Sequence, residues 1–449
     1  MPEPNSINSP DRAPNPLDAV RAPLDWLARS PLRAFIIIFL LSFAVQCFFL
    51  TKASERWVRP NTRWEMPAIA YNLADRGEFA DPYVIPTGPT AHLPPVAPGM
   101  VALIYRIFGL TLTAGYIALL IRIVFHSTLY AMLPWVAGRL GVGRQPGVIA
   151  GLAWAFVADW PGHGEILTAI MLALLLIACV RRWHAPRLSA MGSFLLGMGW
   201  AAVFHVQPAL LPTMLTCMAF ELFWSKDRRR FGFALIILLG AALTCVPWAV
   251  RNYAAFGEVF FIRSNFGLEL RMGNHDGAAA DIDVMVARQK VRHPRIDEDE
   301  ANLIREVGEI EYMRRARIEA IEWIKANPGE FTRLTASRIA HFWCGPLHQP
   351  ITVAGVSALT ILAALGLWYT REKATIPQLA ALVIPLLTFP LVYYIVAYMF
   401  RYRLPVHWLI LILAAAALWH WIGPSRITHT LSGETSGGAP SGGGPSGGS

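Results

Sequence analysis

The chain alternates long apolar runs with polar interruptions of very unequal length. Ten runs, at roughly 34–50, 113–137, 146–159, 165–181, 188–206, 208–224, 231–250, 351–370, 376–396 and 404–422, read as membrane-spanning helices. Most approach the ~20 apolar residues that a helix needs to cross a bilayer, and 146–159 is short. Two polar stretches, 51–112 and 251–345, are too long to be simple turns. In the first, Trp64 to Asp75 sets Met66, Ile69 and Leu73 on one side of a helix, which predicts an amphipathic helix lying on the membrane. Gly77 is its stop. Pro98 to Phe108, closing at Gly109, predicts a second helix too short to span. In the second stretch, helices are predicted at Asp281 to Val291 and Asp297 to Ala326. Asp297 is a capping residue, and the acids Glu298, Asp299 and Glu300 suit the positive end of the helix dipole. Asn327-Pro328-Gly329 ends that helix, and Phe331 to Trp343 leads back to the membrane. The expected fold is an all-α polytopic membrane protein of about ten transmembrane helices. Interfacial helices and a mostly helical external loop domain complete it. The sequence contains no internal repeat, no inverted halves and no Gly-rich phosphate loop.

Composition agrees with this pattern. Of 449 residues, 55% are hydrophobic and 15% charged, whereas a soluble domain carries about a quarter charged residues. A large soluble domain is thereby excluded. The net charge of +9 would suit nucleic acid only if it were gathered on a polar surface. It is not. The long polar stretches are nearly balanced, and the excess sits in short connections: Arg139 and Arg144; Arg181, Arg182 and Arg187; Lys226, Arg228, Arg229 and Arg230; Arg371 and Lys373. Lys and Arg in short loops mark the cytoplasmic side. With an even span count, both termini are then cytoplasmic, and 51–112, 251–345 and the Arg401–Pro405 turn are external. Segment 1–33 is polar and Pro-rich, with no cleavage pattern after the first apolar run, so Ala34 to Leu50 reads as an uncleaved first span. Segment 423–449 is Gly/Ser-rich and is expected to be disordered. Cys47, Cys179, Cys217 and Cys245 fall in apolar runs and Cys344 near an external segment, which implies no disulfide framework.

Candidate chemistry clusters at the external ends. Glu65 follows the first span between Arg63-Trp64 and Met66, where a carboxylate at the surface would serve as a general base or simply be solvated. Asp159 and Glu165 flank the tight turn ADWPGHGEI, and Glu165 opens the next helix. His163, Glu165 and His205 have no metal-site spacing. Arg401 and Arg403 lie where the positive-inside bias disfavours them, and a guanidinium pair there suits a phosphate or a lipid headgroup. Arg122 and His126, one turn apart inside a span, are costly and therefore functional candidates. The segment PWAVRNYAAFGEVFFIRSNFGLELRMGN, Pro247 to Asn274, carries Arg251 and Asn265 and reads as a pocket wall or an interfacial belt. Its Gly267 and Gly273 permit tight backbone turns.

Taken in order, these pieces resemble the GT-C superfamily of integral-membrane glycosyltransferases. The likeness is to bacterial relatives of protein O-mannosyltransferases and of the aminoarabinose transferase of lipid A. The resemblance spans about residues 34–422. It comprises the first-loop acid followed by IAYNLADRGEF and GPTAHLPPVAPGMVALIYRIFG, then Glu165, PWAVRNYAAFGEV, SNFGLELRMGN and RYRLPV. It implies an inverting transfer from a polyprenyl-phosphate sugar to a glycan, lipid or protein acceptor at the external face of a bacterial-type inner membrane. Glu65 would be the base. Arg401 and Arg403 would contact the donor phosphate, and Glu165 would be a second pocket acid. Arg251, Asn265 and His92 would line the substrate site. Many relatives carry Asp, often followed by another acid, where this chain has Glu65-Met66, and an aromatic or basic residue before Pro94-Pro95, where it has His92-Leu93. Those departures bear on the acceptor and on any divalent metal, for which the residues supply no assigned ligand set. Nucleic acid is not an expected partner; membrane lipid is. A lipid or solute transporter, and a non-catalytic membrane scaffold, are the competing readings.

Overall fold

A computed structural model describes residues 16–157, 162–225 and 229–423. Asp159, Lys226, Arg228 and nearly all of the Gly/Ser-rich tail lie outside the described residues. Nineteen α-helices occur among the described residues, and no β-strand. Helices α1 (Pro16–Arg29), α2 (Pro31–Lys52), α3 (Glu55–Val58), α4 (Glu65–Arg76) and α5 (Val96–Phe108) lead into α6 (Leu112–Arg139), α7 (Arg144–Ala155) and α8 (His163–His184). Then come α9 (Ala190–Phe204), α10 (Leu211–Ser225) and α11 (Arg229–Phe256). The second polar stretch holds α12 (Phe266–Gly273), α13 (Ile282–Ala287), α14 (Glu298–Val307), α15 (Glu309–Ala326) and α16 (Pro328–Cys344). The chain closes with α17 (Pro350–Thr370), α18 (Ile376–Thr388) and α19 (Leu404–Ile422).

Among the described residues, seven helical segments are long and apolar enough to cross a bilayer: Pro31–Lys52, Leu112–Arg139, His163–His184, Arg229–Phe256, Pro350–Thr370, Ile376–Tyr394 and Phe400–Ile422. The expected runs at 146–159, 188–206 and 208–224 are occupied by α7, α9 and α10, of 12, 15 and 15 residues. At 1.5 Å per residue these reach about 18–23 Å, short of the ~30 Å hydrocarbon core. Pro208 limits the last two, because it opens a separate 3₁₀ turn between α9 and α10. Among the described residues, then, seven segments meet both length and hydropathy, and the expected count of ten is not confirmed.

The short basic connections gather at one end of the bundle. Gln378 donates to the Arg139 carbonyl, Thr375 meets His184, Arg230 donates to the Ala185 carbonyl and Gln145 donates to Asp25. Arg21 of α1 binds the Ile422 and Gly423 carbonyls there. Helix α1 lies in the segment read as merely polar. Leu24, Leu27 and Ala28 pack against Ala34 and Val148, while Val20 and Trp26 stay exposed. Buried Arg182, Glu221 and Ser193 tie α8, α10 and α9 together near this end, with Arg182–Glu221 contacts of 2.7 and 2.8 Å.

At the other end lie both long polar stretches. His163 at the start of α8 donates to the Ala118 carbonyl near the start of α6, and Val96 N–H donates to the His205 carbonyl at the end of α9. Within the bundle, small residues allow close helix contact. A Cβ on Gly197 of α9 would overlap the Ile237 carbonyl of α11, and one on Gly240 would overlap the Phe194 carbonyl in return. The largest core runs through α6, α8, α18 and α19 around Trp200, Phe342, Phe389 and Trp408.

The helical insertion has its own small core of Tyr83, Leu268, Met272, Ala301, Ile304, Tyr312 and Met313. At its centre Arg271 reaches Glu300 and the Tyr312 hydroxyl, both at 2.6 Å, and Tyr312 donates to Glu300 at 2.6 Å. The expected helix 297–326 is two helices, broken at Gly308 with φ +83°. Asn327-Pro328 ends α15 and also opens α16, since Pro suits the first helical position. The predicted helix at 281–291 stops at Ala287.

Candidate functional site

Glu65 is the first residue of α4, whose left-handed Gly77 closes it at φ +74°. Its carboxylate is turned toward the second polar stretch. Arg295 Nε lies 3.2 Å from Glu65 Oε1, and His293 Nε2 lies 3.8 Å away. The Arg295 guanidinium also covers the Trp64 ring at 4.2 Å. Burial raises the Glu65 carboxyl above the ordinary range and Glu269 pushes the same way, while its own backbone N–H, Arg295 and Arg401 oppose the shift.

The segment Phe79 to His92 is irregular and is held by side chains from elsewhere. Arg251 of α11 donates to the Thr90 carbonyl at 2.8 Å and the Phe79 carbonyl at 2.7 Å, and packs on Phe79 and Trp248. Buried Glu309, at the start of α15, accepts from Ala91 N–H at 2.8 Å and from the Thr90 and Ser264 hydroxyls. Burial raises its carboxyl as well, against those three donors and Arg251. Arg263 donates to the His92 carbonyl at 3.0 Å. His92 is buried, its Nδ1 3.0 Å from the Tyr83 hydroxyl and its ring beside that of His293. Burial, then His293 and Arg263, hold its imidazole neutral well below the usual range.

On the bundle side, Arg401 and Glu165 approach to 3.7 Å, and Arg401 is more than half exposed. Glu269 of α12 accepts from Asn265 at 2.9 Å and faces Arg263 at 3.9 Å. Burial raises its carboxyl, offset in part by Arg263 and Arg401. Tyr393 and Tyr402 stack at 4.5 Å, with Glu165, Glu269 and Arg263 as electrostatic neighbours of both. Acids from three separate segments thus surround one exposed guanidinium.

The expected residues divide by what they touch. Glu65, Glu165 and Arg401 share this region, and Asn265 orients Glu269 within it. Arg251 is spent on backbone carbonyls, so it shapes the loop rather than facing the open site. Arg403 diverges from Arg401: it is buried, donates to Thr360 of α17 at 3.1 Å, and leaves its Nε and Nη1 without a hydrogen-bond partner. His126 contacts Ser42 at 3.4 Å in the bundle interior. Glu269, Glu309, Arg263, His293 and Arg295 were not singled out from the sequence. Glu269 lies inside the SNFGLELRMGN segment, where its charge amid apolar neighbours was the available signal. His293-Pro294-Arg295 lies between two predicted helices and carries no motif of its own.

Glu65, His92 and His293 offer ligand atoms within 4.8 Å of one another. They do not fit a divalent metal. His293 Nδ1 accepts the Arg295 backbone N–H at 3.1 Å. The neutral ring therefore carries its proton on Nε2, the atom facing Glu65. Burial and then Arg295 lower His293 to about 3. The Arg295 side chain already supplies the cation that Glu65 needs.

The described residues define a helical polytopic membrane protein with a helical insertion at one end. No family model matches the chain, no curated protein matches it, and no solved structure matches it.

Proposed function

We propose that the protein is a GT-C-type glycosyltransferase that moves a sugar from a polyprenyl-phosphate donor to an acceptor at the membrane surface, with inversion. The observation that carries this reading is a partly buried carboxylate, Glu65, held by Arg295 within the electrostatic reach of an exposed guanidinium, Arg401, which itself pairs with Glu165 at the mouth of an apolar bundle. The acceptor hydroxyl or amine gives its proton to the Glu65 carboxylate as its oxygen or nitrogen bonds to C1 of the sugar. The C1–O bond to the phosphate breaks, and its electron pair stays on the phosphate oxygen. Burial makes Glu65 a stronger base than a solvated acid, and Arg295 holds it ionised and oriented. Arg401 supplies charge where negative charge develops. The lipid tail remains among the spans.

The topology supports the same reading. Arg144–Gln145 at the start of α7 sits by α1 at the basic end, and His163 at the start of α8 sits by Ala118 at the other end. Helices α9 and α10 run from the Arg182 cluster to His205 and back. In this reading the three short helices complete ten crossings, with the basic end cytoplasmic and the site on the external face of a bacterial-type inner membrane.

The test is Glu65→Gln in membranes supplied with a labelled polyprenyl-phosphate sugar. Transfer should fall about a hundredfold or more at equal protein level, the scale of losing a general base. Unchanged transfer would remove Glu65 from that role.

A further inference from the structure

We propose a second site, independent of the reaction above: a divalent-cation site of zinc type formed by Asp281, His341 and His348, where the helical insertion joins the bundle. One ligand atom from each residue lies within 4.8 Å of the other two.

The arrangement is built rather than incidental. Asp281 is buried at the N-terminus of α13, and its Oδ1 accepts the Asp283 N–H at 2.8 Å. Its backbone is pinned on both sides: Ile282 N–H donates to the Tyr398 carbonyl at 3.0 Å, and Tyr398 N–H to the Ala280 carbonyl at 2.7 Å. That leaves Oδ2 directed at His341. His341 is buried in the last turn of α16, and its Nδ1 lies 2.8 Å from the Ser337 carbonyl oxygen. A carbonyl only accepts, so the hydrogen is on Nδ1 and the Nε2 lone pair faces outward. Nε2 stands 4.0 Å from Asp281 Oδ2.

Two acceptors face one another there across a gap too wide for a hydrogen bond. An ion between them, with metal–ligand bonds of about 2.0–2.2 Å, would satisfy both. His348 lies on the solvent side. Its Nε2 accepts from the Gln349 amide at 3.2 Å, so it too presents a lone pair that a metal can take in place of that amide. The His341–Ser337 bond is the outer-shell contact that fixes the tautomer of a metal-ligating imidazole. His293 has the opposite tautomer, which is why the cluster at Glu65 is unsuited and this one is suited. Two imidazoles and one carboxylate, with a fourth position open to water, match zinc among common divalent ions. The ion would fasten the Gly345–Gln349 connection to α13, and so hold α16 and α17 at a set angle.

The test uses the full-length, untagged protein in detergent, stripped with chelator and re-equilibrated with zinc. Metal content is measured by mass spectrometry, and cobalt is substituted as an optical probe. One equivalent of zinc should bind, and cobalt should give visible d–d bands. Asp281→Asn keeps the oxygen that caps α13, and His348→Ala alters an exposed side chain, so both variants should fold. Each should weaken zinc binding by at least about tenfold. Glu65→Gln should leave it unchanged. The proposal is overturned if the stripped protein takes up no stoichiometric zinc, if His348→Ala binds as the native chain does, or if Glu65→Gln removes the ion instead.

Discussion

Glu65 Oε1 and Arg295 Nε meet at 3.2 Å, joining the two long polar stretches of the chain through one ion pair. The pair sets both the position and the proton affinity of the carboxylate. Removing the cation takes away an attraction that favours the charged carboxylate. Arg295→Gln should therefore raise the Glu65 carboxyl further. The acid limb of the pH–rate profile for sugar transfer should move to higher pH, while the rate well above that limb is largely kept. An unmoved limb would show that Glu65 does not govern it.

Arg401 and Arg403 should separate in experiment. Arg401 is exposed beside Glu165, and Arg403 is buried against Thr360. Arg401→Gln should leave thermal stability within about 0.5 kcal/mol, as surface changes usually do, and should raise the KM for the lipid-linked donor. Arg403→Met removes a buried charge and fills similar volume, so stability in detergent should hold or rise. A loss of folding in Arg401→Gln would contradict the assignment.

His293 makes stability sensitive to acid. The folded protein holds it neutral down to about 3, whereas the unfolded chain takes up a proton below about 6.5. The unfolded state therefore binds more protons between those values, and stability falls as pH falls through that window. The loss from this residue is about 2 kcal/mol at about pH 5, by the 1.36 kcal/mol per pH unit of linkage. His293→Gln should flatten the melting temperature between about pH 6.5 and pH 4. A slope identical to that of the native chain would count against it.

Arg271 sits at the centre of the insertion, bonded to Glu300 and Tyr312. Arg271→Met strands the buried Glu300 carboxylate with the neutral Tyr312 hydroxyl and the half-exposed Arg292 as its partners. The cost should be about 3 kcal/mol or more. Limited proteolysis should show cleavage within 282–326 before any within the spans. Equal resistance of insertion and bundle would disprove that weighting.

Much of the architecture was legible from apolar periodicity and from Gly and Pro. Gly77 and Gly109 close α4 and α5 as expected, and Asp297 caps α14 through Asp299 and Glu300 N–H. The shortness of 146–159 was legible, but the shortfall in α9 and α10 was not, because hydropathy registers composition while helix length depends on where the backbone turns. The amphipathic α1 was hidden by its charges. At the site, an acid placed just after a span pointed to Glu65 by position alone. His293 and Arg295 escaped notice because their role comes from a meeting of distant segments, which no local pattern encodes. Arg401 and Arg403 looked equivalent in FRYRLPV, yet a 3₁₀ turn over Phe400–Arg403 sends them different ways.

The segment from Phe79 to His92 has no regular structure of its own and borrows its anchors from Arg251, Arg263 and Glu309. All three emerge from the ribosome long after it. The first half of the chain can enter the bilayer and pair its early helices while this segment is still unanchored. Glu65 must likewise wait for Arg295. The order of synthesis thus delays assembly of the carboxylate centre until the second polar stretch has been made, and a chain cut short before His293 would leave Glu65 at the surface without its partners.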